Sequence, residues 1–123
     1  MSAITIRLDW PYAELSPNYR GFWRKVAEAK RIYRQACYVL ARNAKDCKTA
    51  YPLTAPITAH VVFYIQKGRG PDVDNALASL KSGVDGIQDA GVIANDRDIV
   101  SWTAEVTKGD RREVVLMLSE VSR

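Results

Sequence analysis

Histidine and cysteine are scarce in this chain of 123 residues, which contains one histidine and two cysteines. Zinc sites and cysteine–histidine nucleophiles need such side chains, so the composition disfavours both. His60 lies on a predicted strand, where we interpret it as a packing or hydrogen-bonding side chain rather than a catalytic base or ligand. Cys37 and Cys47 lie too far apart on a predicted helical stretch for a disulfide, and Cys37 is predicted to be a core thiol.

Long apolar runs are missing as well. No stretch of roughly 18 consecutive apolar residues occurs, so no transmembrane helix is predicted. The first ten residues lack the basic and apolar regions of a signal peptide, and we expect a cytoplasmic protein with no membrane partner. Hydrophobic residues make up 47% of the chain, which is enough for a core. The length suits one domain spanning residues 1–123, small enough for a homodimer to be plausible.

Charge is unevenly distributed along the chain, whose net charge is +4. Residues 1–69 contain twelve Lys or Arg and four Asp or Glu, whereas residues 70–98 contain six Asp and two basic residues. A basic body attracts the phosphate backbone of a nucleic acid, and clustered carboxylates tolerate that backbone when a cation lies between them. This distribution is typical of a metal-dependent nuclease. A solvated basic helix would explain the first part equally well.

Hydrophobic periodicity predicts an α+β fold in the order strand, helix, strand, helix, strand, strand, with a mixed sheet packed against helices. The first helix has an apolar stripe formed by Phe22, Val26, Ala29, Tyr33, Ala36, Leu40 and Ala44. The second has a stripe formed by Val73, Leu77, Leu80, Val84 and Ile87. Residues 108–110 are predicted to form a tight hairpin turn between the last two strands. The predicted elements are strands 4–8, 57–65, 99–107 and 112–119, and helices 20–44 and 75–90.

Pro71-Asp72-Val73-Asp74-Asn75 is the most informative stretch. In an extended segment, residues two apart face the same side, so Asp72 and Asp74 could converge on one metal where the second helix begins. The positive end of the helix dipole would favour anions there. Capping of the helix by one Asp is the competing interpretation, and it would explain only one of the two.

A second acidic cluster, Asn95-Asp96-Arg97-Asp98, follows the second helix. Alone it indicates a surface turn, but the return from helix to strand could bring Asp96 near the first pair. Lys81 lies two helical turns after Asp74 and could stabilise charge on a phosphate. An ion pair of Lys81 with Asp85, four residues on, is the ordinary alternative, and the two roles are compatible.

Basic residues are candidates for contact with phosphates. Arg24, Arg31 and Arg42 fall on one line of the first helix, which could follow a phosphate backbone or could simply be solvated surface. Lys67 and Arg69 lie in the loop before the acidic motif.

Taken together, these residues resemble the RusA family of Holliday-junction resolvases. The resemblance covers nearly the whole chain: Leu8-Asp9-Trp10-Pro11, a basic helix, the D-x-D-N sequence of residues 72–75, a lysine on the following helix, and Asn95-Asp96 before a strand. It implies that Asp72, Asp74 and Asp96 bind the metal and that Lys81 is the catalytic lysine. The spacing from Asn75 to Lys81 is three residues longer than in the best-known member.

The resemblance also implies a function. We expect a Mg²⁺-dependent endodeoxyribonuclease, with Mn²⁺ as the alternative ion, that resolves four-way DNA junctions in recombination and repair by paired phosphodiester cuts. Two-fold symmetric cutting implies a homodimer. The loop with Lys67 and Arg69 is similar to a DNA-contacting segment of the family. A non-catalytic module that binds structured DNA, and a nuclease for other branched or single-stranded DNA, are the alternative hypotheses.

Overall fold

The computed structural model describes residues 2–121, and the predicted α+β fold is confirmed. Helices pack against one face of a mixed sheet that has four strands in the described part of the chain. Met1, Ser122 and Arg123, which the predicted domain includes, lie outside the described residues. Two 3-10 turns, Ala13–Leu15 and Asp96–Asp98, accompany the main elements. These elements are β1 (Ala3–Leu8), α1 (Trp23–Ala44), β2 (Ile57–Ile65), α2 (Val73–Ser79), α3 (Lys81–Asp89), β3 (Ile99–Lys108) and β4 (Glu113–Glu120).

The strand order is β1–β4–β2–β3, with β2 parallel to β3 and β4 antiparallel to both β1 and β2. The predicted hairpin at residues 108–110 is therefore wrong, because β2 lies between β3 and β4. The connection passes the end of β2, where the Gly109 N–H donates to the Ile65 carbonyl at 2.9 Å. A short link between two strands suggests a hairpin locally, but the crossover through α2 and α3 places β3 on the far side of β2.

Helix α1 begins at Trp23, three residues later than predicted, and its buried side is rotated relative to the predicted stripe. The side chain of Phe22 is 62% exposed, so it does not belong to the core. The fully or nearly buried residues of α1 recur every four positions, which brings mostly small side chains toward α3. They are Ala29, Tyr33, Cys37 and Ala41.

Close contact between α1 and α3 depends on two glycines. A Cβ atom at Gly86 would lie 2.2 Å from the Arg34 carbonyl oxygen, and one at Gly83 would lie 2.7 Å from the Tyr33 ring. The helices thus approach to a distance that side chains at these positions would prevent. This packing fixes α3, and with it every residue that α3 presents on its other side.

The predicted helix 75–90 is two helices, because the helical run is interrupted at Leu80. The Leu80 side chain is fully buried, and its N–H bonds to the Leu77 carbonyl at 3.2 Å, three residues back rather than four. Lys81 consequently opens α3 instead of continuing α2. The first helix of the pair starts at Val73, two residues earlier than predicted, and Val73 is 43% exposed rather than part of the core.

No helix within residues 2–121 combines the length and the apolar character needed to cross a membrane.

Candidate active site

The D-x-D-N sequence straddles the start of α2. Asp72 is extended (φ −62°, ψ 147°) and its carbonyl accepts the Ala76 N–H at 2.9 Å, whereas Asp74 is already helical. Within the described chain, the Asp72 carboxylate makes no capping hydrogen bond to the helix. Asp74 Oδ1 accepts the N–H of the adjacent Asn75 at 3.0 Å. Side-chain capping therefore does not account for Asp72.

Asp74, Lys81 and Asp96 line one cavity of about 430 Å³, bounded by α2, α3 and β3. We call it the acidic cavity. Lys81 Nζ lies 3.0 Å from Asp96 Oδ2 and 3.3 Å from Asp85 Oδ1. The adjoining helices α2 and α3 and the turn before β3 thus place two carboxylates and an ammonium group on the lining of one cavity. Among the residues that the structure describes, Asp72 does not line this cavity.

Asp96 owes its position to the 3-10 turn that precedes β3. The Asp96 N–H donates to Gln88 Oε1 at 3.1 Å, which ties the turn to the end of α3. The Asn95 side chain accepts the Arg97 N–H at 3.0 Å, the bond expected of a residue that caps the turn. Asn95 thus satisfies the backbone, and the Asp96 carboxylate is available to face the cavity.

Lys81 offsets part of the negative charge of this cluster. The hydrogen bond from Lys81 lowers the pKa of Asp96 below its ordinary value. The same contact, and secondarily the one to Asp85, raises the pKa of Lys81. Both groups are therefore charged at neutral pH, and the ammonium group offsets the negative charge that would repel a phosphate.

Two carboxylates, those of Asp74 and Asp96, line the acidic cavity, rather than the three that were predicted to bind a metal. Within residues 2–121, no group of three or more His, Cys, Asp or Glu side chains could hold a metal ion together. The predicted set of Asp72, Asp74 and Asp96 is therefore not brought together as three metal ligands. Mg²⁺ is commonly bound by one or two carboxylates together with waters and substrate phosphates. Asp74 and Asp96 fit that requirement.

The arginines predicted to follow DNA are all exposed on α1. The Arg24 guanidinium lies 5.3 Å from the centre of the Trp23 ring, and Arg42 Nη1 donates to the Tyr38 hydroxyl at 3.0 Å. Arg31 is 3.7 Å from Glu28. These contacts are at the surface and leave the guanidinium groups accessible to a phosphate backbone. None of the three is among the described residues that line the acidic cavity.

Arg112 is a basic residue that sequence reasoning missed. Its guanidinium lies 4.5 Å from the centre of the Trp10 ring, and it lines a cavity of about 310 Å³ with Lys67 and Pro71. Arg69, also exposed, lies in the same loop as Lys67, just before the acidic motif. Trp10 could have pointed to this place, because an aromatic ring attracts cations, but no sequence spacing connects residues 10 and 112.

His60 and Cys37 take no part in the acidic cavity. His60 Nδ1 hydrogen-bonds to Thr103 Oγ1 on the sheet face that the helices leave open, so the hydrogen-bonding interpretation is confirmed. Cys37 is fully buried and its pKa is raised to about 12 by burial, as a core thiol requires. Cys47 is exposed, and both cysteines are free.

Comparison with known proteins gives one informative similarity. No family model matches the chain. It is 36% identical over 97 residues to an uncharacterized protein of Xylella fastidiosa (strain Temecula1), an alignment that covers 79% of this chain and 63% of that protein. The chain thus spans less than two thirds of the length of this relative. The similarity indicates related proteins and assigns no activity.

Proposed function

We propose that this chain is a Mg²⁺-dependent endodeoxyribonuclease of the RusA type, which cuts four-way DNA junctions in recombination and repair. The observation that carries the proposal is the convergence of Asp74, Lys81 and Asp96, from three segments, on one cavity. Carboxylates that share a cavity with a lysine, on a chain of net charge +4, suit phosphodiester hydrolysis. The resemblance of residues 72–75, 81 and 95–96 to that family gives the substrate.

The residues have separable roles in this proposal. Asp74 and Asp96 would hold the Mg²⁺ ion; Asp72, one residue before α2, is the third carboxylate that the resemblance implies, but it is outside the described lining of the cavity. When bound, Mg²⁺ would polarise the scissile phosphate and lower the pKa of an attacking water. Lys81 contributes positive charge toward the non-bridging phosphate oxygens. Asp85 Oδ1 lies 3.3 Å from Lys81 Nζ but is outside the described lining of the acidic cavity, so it has no assigned role in catalysis.

Binding of DNA is assigned to the two basic surfaces. Lys67, Arg69 and Arg112 flank the acidic motif, while the arginines of α1 (Arg24, Arg31 and Arg42) provide a longer row. Phosphate contacts of this kind position the substrate and make affinity depend steeply on salt. Paired cuts in a two-fold symmetric junction require two sites, so we propose a homodimer, acting in the cytoplasm.

The test is cleavage of an end-labelled four-way junction, compared with linear duplex of the same sequence, with and without Mg²⁺. We expect symmetric nicks that need the metal, and a loss of at least about 10²-fold in Asp74→Asn and in Asp96→Asn. Asp85→Asn is the matched control, because it removes a carboxylate that also contacts Lys81. It should stay within a few-fold of the parent. Junction cleavage by Asp74→Asn at the parental rate would refute the assignment.

A second candidate is a module that binds structured DNA without cutting it. It is favoured by the ion pair between Lys81 and Asp96, which neutralises a carboxylate without any metal. The cleavage assay separates the two, since the module would bind the junction and leave it intact in both Mg²⁺ and Mn²⁺. If the protein cut flaps or single strands in the presence of metal but left junctions intact, it would be a metal-dependent nuclease with a different DNA substrate.

A further inference from the structure

The strand β3 contains one extra residue at the edge of the acidic cavity. Ile57 pairs with Ile99, but the next residue, Thr58, pairs with Ser101, so Val100 is the additional residue of a β-bulge. A bulge shifts the alternation of side chains by one position and can aim a side chain at a neighbouring site. Without it, Trp102 would face away from the helices.

Because of the bulge, Trp102 lies on the helix side of β3. It pairs with Ala59, which is buried in the core, and its indole is half-buried at the wall of the acidic cavity. Leu77 and Leu80 from the α2 end and Val84 from α3 supply the rest of the apolar wall. The cavity thus has a carbon-lined side with an aromatic ring and a charged side with Asp74, Lys81 and Asp96.

A ligand that fits both sides combines a flat apolar group with a phosphate. A nucleotide has this combination, since its base can stack on an indole while its phosphate lies beside an ammonium group. Extruding a base from continuous duplex breaks stacking on both sides, whereas a base at a branch point that the protein holds open has a stacking neighbour on one side only and costs less to extrude. The position of Trp102 would therefore favour branched DNA over linear duplex.

We propose that the apolar wall of the acidic cavity receives one unstacked nucleobase of the DNA substrate, which stacks on Trp102. This inference rests on the proposed action on DNA. It assigns to Trp102 a role in substrate discrimination: the stacked base places the adjoining phosphate beside Lys81 and the two carboxylates.

The experiment is a binding titration with synthetic four-way junctions that carry 2-aminopurine at each nucleotide flanking the crossover, in Ca²⁺ to avoid cutting. We expect the parent to change the 2-aminopurine fluorescence at one such position, and Trp102→Ala to abolish that change. Trp102→Ala should lose roughly ten- to hundredfold in junction affinity and leave linear duplex affinity unchanged. Trp102→Phe should restore most of the junction affinity. The matched control is Phe22→Ala, because Phe22 is an aromatic residue that is 62% exposed before α1 and outside the described cavity lining.

Several results would overturn the proposal. These are an unchanged 2-aminopurine signal at every flanking position when the parent binds the junction, or equal losses for junction and duplex in Trp102→Ala. The first needs no variant, so it applies even if Trp102→Ala fails to fold. A shift from dimer to monomer in Trp102→Ala, measured by ultracentrifugation, would instead assign the apolar wall to a side chain of a second copy.

Cleavage is scored separately in Mg²⁺. A 2-aminopurine change without cleavage would refute the proposed nuclease activity and support base stacking on Trp102. Cleavage without a 2-aminopurine change would support the nuclease activity and refute the stacking. Absence of any DNA binding would refute both.

Discussion

The two sides of α3 differ in what fixes them. Toward α1, Gly83 and Gly86 permit a contact so close that a Cβ at Gly86 would meet backbone at 2.2 Å. Toward β3, the same helix presents Lys81, whose side chain is 68% exposed and bound by ion pairs of 3.0 and 3.3 Å. The contact with α1 is fixed by shape, whereas the position of the Lys81 ammonium group is fixed by charge. The stability from close packing depends little on salt or pH, whereas exposed ion pairs are weak and exchange partners readily.

This difference is what a site that acts on a phosphate needs. A rigid contact with α1 fixes the backbone of α3, so the ammonium group can move between partners while its helix stays in place. Asp74 and Asp96 come from the ends of neighbouring elements, where side chains project without disturbing the core. The fold and the proposed chemistry can therefore be perturbed independently, and four predictions test that separation.

The largest effect on stability is expected from adding a methyl group to the packed side. Gly86→Ala should lower the free energy of unfolding by about 2 kcal/mol, because overpacking against the Arg34 carbonyl outweighs the gain of about 1 kcal/mol from helix propensity. Gly83→Ala is the matched control: it would meet side-chain atoms, of Tyr33 at 2.7 Å and Cys37 at 3.0 Å, rather than backbone at 2.2 Å, so it should cost less. Urea denaturation measures both. Equal stability of Gly86→Ala and the parent would contradict the close contact.

On the charged side, Lys81→Met should change two quantities in opposite directions. Cleavage should fall by about 10²-fold, because positive charge beside the phosphate is lost. Affinity for Mn²⁺ should rise, because the ammonium group no longer competes for Asp96. Electron paramagnetic resonance titration gives the affinity, and Lys81→Arg serves as the charge-preserving control. A fall in both quantities would mean that Lys81 supports the metal site rather than competing with it.

Local sequence patterns predict the elements of the fold, but not how those elements are arranged. The strand alternation in residues 57–65 and the apolar repeats of the helices are local patterns, so the α+β fold and nearly all element positions follow from them. The order of β3 and β4 in the sheet does not, because it depends on which strand occupies the place beside β2. The break at Leu80 is likewise not visible in the apolar repeat, because Leu80 is buried as expected and keeps right-handed helical angles. Asp74 and Lys81 still line one cavity, as their spacing predicted.

For the site, residue chemistry was more informative than spacing. Asp74, Asp96 and Lys81 were all proposed from their types and positions, and the structure brings them into one cavity. The approach of Asp72 to that cavity assumed an extended D-x-D, but the helix already includes Val73. Trp102 and Arg112 were missed because a β-bulge and a contact between residues 10 and 112 leave no trace in local periodicity.

A smaller effect is expected at the basic loop between β3 and β4. Arg112→Gln should weaken junction binding a few-fold and reduce the slope of log affinity against log salt by about one, as the loss of one phosphate contact does. Arg111→Gln is the control on the same loop, because Arg111 is 2.8 Å from Glu113 and already paired. Fluorescence anisotropy over a salt series measures both slopes. Identical salt slopes for the two variants would show that Arg112 does not contact a DNA phosphate.

The smallest effect concerns the exposed rim of the packed side, where Arg34 and Asp89 join α1 to α3 through two hydrogen bonds of 2.6 and 2.8 Å. The hydrogen bond from Arg34 lowers the pKa of Asp89 in the folded state. The stabilisation is therefore present above the pKa of Asp89 in the unfolded chain and is lost as pH falls through the lowered folded-state pKa. Arg34→Gln should be slightly less stable than the parent at pH 7 and equal to it near pH 2. Arg31→Gln, which breaks only a 3.7 Å contact within α1, should show no such pH dependence. The stability of Arg34→Gln could instead differ from that of the parent by the same amount at both pH values. In that case Arg34 would stabilise the contact between α1 and α3 by packing rather than by its charge.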